Sequence, residues 1–401
     1  MIRRVFKAFH YRDFRLMWIG ACTSTIGTYM QIVAQSWLIY TLSNSSWLLA
    51  LDQVMGGLPI MLFSLVGGVV ADRIDRRYAL LGSQYVQMTS AFVLTGLVAF
   101  HAVHVWQIIA LSFVNGCAQS IGGPAYSALI PTLVEKEDMP NAIALNSIQF
   151  NVAVTVGPAL GGLALHNLGM AWCFGLNGLS FVAPIIALGM LHTRFLPQKT
   201  TETVLDSMKQ GFRFIRKQGA MEGLIVLAFL MAFLAIPART FLPVFAKEIF
   251  HRGSETYATF LAISGLGSIL GALTVAGFGN VRNKGKVALT MLICLGASMA
   301  GFALSTSLWA TYVALFLFGA AMIAVFAMVN SLVQLIVTNE MRGRVMSVYN
   351  TAFRGGMPLG NLATGRLVPM FTAPIVLSVN GILLIALALY FMLVQRRVAE
   401  L

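Results

Sequence analysis

Residues 67–77 read GGVVADRIDRR. Asp72, Arg73, Asp75, Arg76 and Arg77 crowd five charges into its last six positions. On either side charge disappears. No Asp, Glu, Lys or Arg lies between Asp52 and Asp72, and none lies in the 57 residues between Arg77 and Glu135. A run of that length holds two membrane spans, since one span needs about 20 residues. The stretch is a short polar turn between two spans.

The pattern recurs along the chain. The gaps Asp138–Arg194 and Lys286–Glu340 hold 55 and 53 uncharged residues. Over 401 residues only 10 % are charged and 58 % are hydrophobic. An ordinary soluble domain carries about 25 % charge. This excludes a soluble enzyme or binding domain, and the apolar content excludes disorder. The net charge of +13 does not mark a nucleic-acid binder, because the basic residues sit in small groups between apolar runs.

Turn signals and charge clusters divide the chain into twelve apolar segments: 14–41, 47–70, 78–101, 104–130, 141–166, 169–191, 221–248, 255–279, 286–305, 309–338, 343–369 and 372–394. In lipid each must satisfy its own backbone hydrogen bonds, so helices are expected. The alternating ~10-residue strands of a barrel are absent. The start, MIRRVFKAFHYRDFR, is too charged for a cleavable signal, so the first span is expected to be retained. If both termini are cytoplasmic, 22 of the 27 basic residues fall on the inside, which predicts that orientation.

The longest loop, near 192–220, contains TVLDSMKQGFRFIRKQG. Val204, Leu205, Met208, Phe212 and Ile215 recur at helical spacing, so an amphipathic helix at the membrane surface is expected, with Thr203 and Asp206 as its capping box. The halves on either side look related. Gly57, Gly68 and the Arg73–Arg77 group precede Gly265, Gly277 and Arg282–Lys286 at similar spacing. SALIPTLVEKEDM (127–139) resembles NSLVQLIVTNEM (330–341), and Pro158 has a counterpart in Pro358. The expected fold is all-α integral membrane. Two pseudo-symmetric six-helix bundles, 1–191 and 221–401, flank a linker at 192–220. Such duplications build transporters with a midplane site.

Here the chain resembles the major facilitator superfamily, whose second-to-third-helix loop reads Gly-x-x-x-Asp-Arg/Lys-x-Gly-x-Arg/Lys-Arg/Lys or a close variant. Gly68, Asp72, Arg73, Arg76 and Arg77 match it, while Asp75 stands where the family usually has Gly. The resemblance implies a gating motif that locks one conformation of the transport cycle. VGPALGG (156–162) resembles the antiporter signature of that superfamily through Gly157, Pro158, Gly161 and Gly162. Its proline bends the helix and its glycines admit a close neighbour, expected to be the eighth segment with Gly265, Gly267 and Gly271. FRLMWIGACTSTIG (14–27), GGPAYSALIPTLV (122–134), LPVFAKEIF (242–250) and RGRVMSVYNTAFRGGMPLG (342–360) are similar to the drug–proton antiporter branch that includes the enterobactin exporter and macrolide efflux pumps. One departure stands out. Many such antiporters place an Arg in helix 4, and this chain has none between Arg77 and Lys136.

Charges inside spans are costly and are functional candidates by default. Asp52 is the candidate proton site, because a carboxylate at lipid depth can exchange protons near neutrality. Arg239, between Pro237 and Pro243, and Arg354, beside Gly355 and Gly356, stay charged and suit an anion or a carboxylate partner. Neutral candidates for substrate contact are Gln31, Gln35, Asn115, Gln119, Asn330 and Gln334, with Tyr29 and Trp37 as aromatic surfaces. Cys22, Cys117, Cys173 and Cys294 show no metal or redox spacing. No P-loop, H-E-x-x-H or G-x-S-x-G occurs, and no nucleophile–base set is visible.

The expectation is a monomeric secondary transporter of the bacterial inner membrane, not an enzyme. It would export small amphipathic compounds, drugs or siderophore-like metabolites, by alternating access. It would use protons and no cofactor, and its partners would be lipid, substrate and protons, not nucleic acid. An importer or lipid/metabolite transporter on the same fold, a membrane-embedded enzyme and a channel are the alternatives.

Overall fold

The computed structural model describes residues 6–73, 75–191, 204–277, 283–338 and 341–401, without the side chains of 64–73, 204–209, 217 and 276. Thr203, and the side chain of Asp206, therefore lie outside the description. Among the described residues there is no strand. Helices α1 (Arg12–Ser43), α2 (Ser46–Arg73), α3 (Arg76–Ala99), α4 (Val105–Leu129), α5 (Met139–Asn167) and α6 (Met170–Gly189) cover the first six apolar segments. The amphipathic stretch forms α7 (Val204–Lys217). Then follow α8 (Gly219–Ile249), α9 (Ser254–Gly277), α10 (Lys284–Leu304), α11 (Leu308–Ile336), α12 (Arg342–Phe371) and α13 (Ala373–Leu393).

Eight of these helices, namely α2, α5, α6, α8, α9, α10, α11 and α13, are long and apolar enough to cross a membrane. In α1, α3, α4 and α12 the apolar run is diluted by Ser, Thr, Gln, Asn and Gly. Large side chains such as Leu273, Ile382 and Leu163 stay exposed on helix flanks, as lipid-facing residues do. Trp47, Trp106, Trp172 and Trp309 each sit in the first turn of their helix, exposed, where an interfacial ring belongs.

By contact the chain forms two units: Met1–Ser43 with Met55–Thr201, and Asn44–Val54 with Glu202–Leu401. Two features differ from the sequence boundaries. The amphipathic helix is part of the second unit, because Gly211 lets it settle on α12. A methyl at Gly211 would come within 2.7 Å of the Arg344 carbonyl. Ile215 is buried beside it, while Phe212 stays exposed under the Arg216 guanidinium. The start of α2 also clusters with the second unit.

Each unit is held by small residues laid on a neighbour's backbone. In the first, Gly157 and Gly161 of α5 fit the ridge of α1. Added methyls would meet the Ile26 carbonyl at 2.8 Å and the Met30 carbonyl at 2.9 Å. This corrects the expected partner, which was the eighth segment. In that segment, now α9, Gly267 and Gly271 are closed on the Phe316 and Ala320 carbonyls of α11. The physical reason is register: glycines four apart match carbonyls four apart on a helix packed along them.

The second unit repeats the device. Gly356 and Gly360 of α12 lie on the Phe229 and Phe233 carbonyls of α8. A further seam is found in each unit: in the first, Gly116 of α4 lies on the Gly56 carbonyl of α2, and in the second, Gly319 of α11 lies on the Ser264 carbonyl of α9. The internal duplication seen in the sequence is thus a duplication of helix seams.

Candidate functional site

In the first unit the α1 seam carries an amide chain. Asn177 of α6 donates from Nδ2 to Gln31 Oε1 at 2.7 Å. Gln31 Nε2 donates to Gln35 Oε1 at 3.2 Å, and Gln35 Nε2 donates to Ser112 Oγ of α4 at 2.9 Å. Ser180 Oγ closes the other end on the Asn177 carbonyl at 2.7 Å. Gly27 makes room for it, since a methyl there would strike Asn177 Oδ1 at 2.7 Å. Gln31 and Asn177 are buried, and the chain ties three helices together. Nearby, Tyr29 packs edge-on to Phe150 at 6.1 Å, and Trp37 is buried. Asn115 is half-buried, and its buried Oδ1 has no hydrogen-bond partner among the described residues. Gln119 is exposed one helical turn further on.

The second unit offers a cleft of about 350 Å³ lined by Ala327, Asn330, Ser331, Gln334, Leu335 and Arg342. Gln334 Nε2 donates to Asn330 Oδ1 at 2.6 Å, so the predicted amides form one polar wall. Arg342 supplies the single positive group among the lining residues.

Of the three charges within apolar segments, Arg354 stands apart from Asp52 and Arg239 by its exposure. Asp52 is 2 % exposed and belongs with the second unit. Arg239 is half-buried and donates from Nη2 to Ser268 Oγ at 3.1 Å. The helix around it is interrupted, with a turn at Phe241 and a π-turn over Phe245–Ile249. Arg354 is exposed on α12.

Of the loop motif, Gly68, Asp72 and Arg73 fall in 64–73, outside the described side chains. Arg76 and Arg77 are visible and act as helix caps. Arg76 Nη1 donates to the Ala128 carbonyl at 3.1 Å, at the end of α4. Arg77 Nη2 donates to the Gly189 carbonyl at 2.8 Å, at the end of α6. Both place a cation on the negative end of a helix dipole. Asp75, the departure from the family pattern, N-caps α3 by accepting from the Arg77 amide at 2.9 Å. In the 156–162 motif, Gly157, Pro158, Gly161 and Gly162 are all buried within α5.

Sequence reasoning missed Ser112, Asn177 and Ser180. Their signal was repetition: Asn177 recurs as Asn380, which donates to the Leu234 carbonyl at 3.4 Å across the same 146-residue separation as the Asn177–Gln31 bond. It also missed a clamp on the N-terminus. Lys7 Nζ pairs with Asp138 Oδ1 at 2.9 Å, the Tyr11 hydroxyl donates to Asp138 Oδ2 at 3.0 Å, and the Ala8 amide donates to Asn141 Oδ1 at 2.9 Å. The Lys7 ammonium holds the Asp138 carboxyl below its ordinary 3.8, and Asp138 raises Lys7 above 10.5. Among the described residues no His, Cys, Asp or Glu cluster could hold a metal ion.

Comparison with known proteins accords with this architecture. A family described as transmembrane secretion effector matches residues 5–401. The enterobactin exporter EntS of Shigella boydii serotype 4 is 26 % identical over 397 residues, covering 96 % of this chain and 92 % of that one. The enterobactin exporter EntS of Salmonella typhimurium is 24 % identical over 389 residues, covering 95 % and 92 %. Among solved structures, an inward-facing bacterial homologue of the human lysosomal transporter Spinster aligns with a TM-score of 0.76 at 16 % identity, over 96 % of this chain and 97 % of that one. An inward-facing bacterial homologue of the iron transporter ferroportin aligns with a TM-score of 0.74 at 13 % identity, over 95 % and 98 %. At such identities these structures share the fold with this chain.

Proposed function

The chain belongs to the transmembrane secretion effector family of the major facilitator superfamily, a multi-pass membrane transporter and not an enzyme, and we propose that it exports small amphipathic compounds in exchange for protons. In this reading it lies in the bacterial inner membrane with both termini in the cytoplasm. It works as a monomer, by alternating access, with the proton gradient as its energy source and no cofactor. It does not bind nucleic acid.

The observation that carries the reading is the Ser112–Gln35–Gln31–Asn177–Ser180 chain. Polar side chains inside a membrane bundle are costly and accumulate where a substrate or ion passes. Amides next to aromatic and aliphatic walls suit a molecule with apolar bulk and many oxygen acceptors. The Asn330–Gln334–Arg342 cleft adds a cation for an acidic or phenolic oxygen. Drugs and siderophore-like metabolites both fit, and the naming of relatives as enterobactin exporters supports the second class.

The test is accumulation in cells that overproduce the protein, with enterobactin and ethidium as probes, with and without an uncoupler. Accumulation of at least one probe should fall several-fold and return when the gradient is collapsed. Export that continues under the uncoupler overturns proton drive, and uptake in place of export overturns the direction.

A further inference from the structure

We propose that Asp52 and Arg239 form a proton-labile ion pair that fastens the start of α2 to α8, and that the proton of the exchange is bound at Asp52. The proposal deepens the export reading and rests on it for the role of the proton, though not for the pair itself.

The placement follows from contacts inside the second unit, which includes Asn44–Val54. Lys247 Nζ donates to Asn44 Oδ1 at 2.6 Å, setting residue 44 opposite residue 247. Gly365 of α12 marks a second level. An added methyl there would touch the Ala50 side chain, the Ser46 carbonyl at 3.3 Å and the Phe241 ring at 3.7 Å. The Ala50 side chain and the tip of the Phe241 ring therefore meet over the same glycine. Advancing along α2 accompanies retreating along α8, as in an antiparallel pair. Two more residues bring Asp52 level with Arg239.

The burial agrees. Asp52 is 2 % exposed, and a carboxylate there needs a cation or several donors. Asp52 and Arg239 are both engaged in polar or electrostatic interactions. Ser268 holds one arm of the Arg239 guanidinium and fixes its position. Of the α12 arginines, Arg354 is exposed and lies eleven residues before Gly365, about 16 Å along the helix, and Arg366, next to Gly365, is exposed too. Lys247 meets Asn44, eight residues or about 12 Å before Asp52 along the chain, and Glu248, His251, Arg252 and Glu255 follow Lys247 in sequence.

The proton step is an association. A proton from water adds to the Asp52 carboxylate and gives a neutral carboxyl. Arg239 keeps its charge and its bond to Ser268, since a guanidinium does not deprotonate in proteins. The Coulomb attraction is lost, and the start of α2 is free to leave α8. Release of the proton restores the pair.

The experiment is a pulsed spin-label distance measurement in lipid nanodiscs. It uses the exposed positions Trp47→Cys and Arg252→Cys, with Cys22, Cys117, Cys173 and Cys294 replaced by Ala. One short distance is expected at about pH 8, with a longer one rising at least tenfold in population at about pH 5. With Asp52→Asn the longer distance should dominate at both values. Arg239→Lys should keep the pH step, and the swap Asp52→Arg with Arg239→Asp should bring it back. A pH step that survives in Asp52→Asn overturns the proposal, and so does a short distance that survives at high pH in both Asp52→Asn and Arg239→Gln. If Asp52→Asn does not fold, loss of the step in Arg239→Lys overturns it. The distance needs no substrate, so failure of uncoupler-sensitive export with an intact pH step would refute the export reading alone.

Discussion

The α1–α5 seam of the first unit and the α8–α12 seam of the second are built alike and furnished differently. In both, glycines four residues apart rest on carbonyls four residues apart: Gly157 and Gly161 on Ile26 and Met30, Gly356 and Gly360 on Phe229 and Phe233. In both, an asparagine of the last helix, Asn177 or Asn380, reaches the residue after the second carbonyl. There the likeness ends. The first unit has Gln31 and Gln35 at that face, and the second has Leu234 and Ala238. Packing cannot require the glutamines, because the second unit makes the same seam without them. What the repeats share is architecture, and where they part is the place to look for transport.

The largest effect should come from breaking the shared part. Gly161→Leu and Gly360→Leu each drive a side chain into backbone that cannot yield. Overpacking of this kind costs about 1–3 kcal/mol and sometimes more. Both variants should lower the unfolding temperature in detergent by similar amounts, and much of each should be lost as aggregate. A Gly360 variant that melts like wild type while the Gly161 variant collapses would show that the seams are not equivalent.

Next in size is the furnished part. Gln31→Leu copies the second unit into the first. It leaves the Asn177 amide without its acceptor, at about 1–3 kcal/mol, and should cut probe export at least tenfold while the protein still reaches the membrane. The reciprocal change Leu234→Gln offers Asn380 a side-chain acceptor. Interhelical bonds of this kind average about 0.6 kcal/mol, so its melting point should barely move and export should persist. Export lost in Leu234→Gln but kept in Gln31→Leu would reverse the assignment of roles.

How much of this was legible beforehand follows the same division. Charge-free runs and the Asp72–Arg77 cluster announce spans whatever their neighbours, because membrane insertion is decided segment by segment. The amides Gln31, Gln35, Asn330 and Gln334 stood out against apolar surroundings, and each pair meets within its own helix, as residues four apart must. Partners from other helices did not follow. The glycine spacing of α5 shows that something packs closely and does not say which helix. Asn177 is one amide in an apolar run until α1 brings Gln31 to it. The attachment of Asn44–Val54 to the second unit depends on Gly365, more than 300 residues away, and no local pattern encodes it.

The chain ends extend the comparison to its finest grain. The first unit pins its end with charge, through Lys7, Tyr11 and Asp138. The second pins its end by close packing: Val398 and Ala399 are buried, and methyls at Gly223 and Gly285 would run into the Val398 side chain and carbonyl. Acid and salt should separate them. Asp138 titrates below its unfolded value of 3.8, so its contribution is complete above that pH and is lost as pH falls through the lower folded value. Lys7 titrates above 10.5, so its share is complete below that pH and is lost as pH rises further. Between these limits the clamp keeps both charges. Protection of residues 6–13 against hydrogen exchange, taken relative to the intrinsic amide rate at each pH, should therefore be flat through neutrality, lower in strong acid, and lower in about 1 M salt, where the screening length shrinks to about 3 Å. Protection at residues 396–401 should ignore both. Asp138→Asn should make the first end insensitive to acid and salt by leaving it loose throughout. Equal salt sensitivity at the two ends would mean that charge is not what distinguishes them, because close packing among buried valine, alanine and glycine has no Coulomb energy for salt to screen.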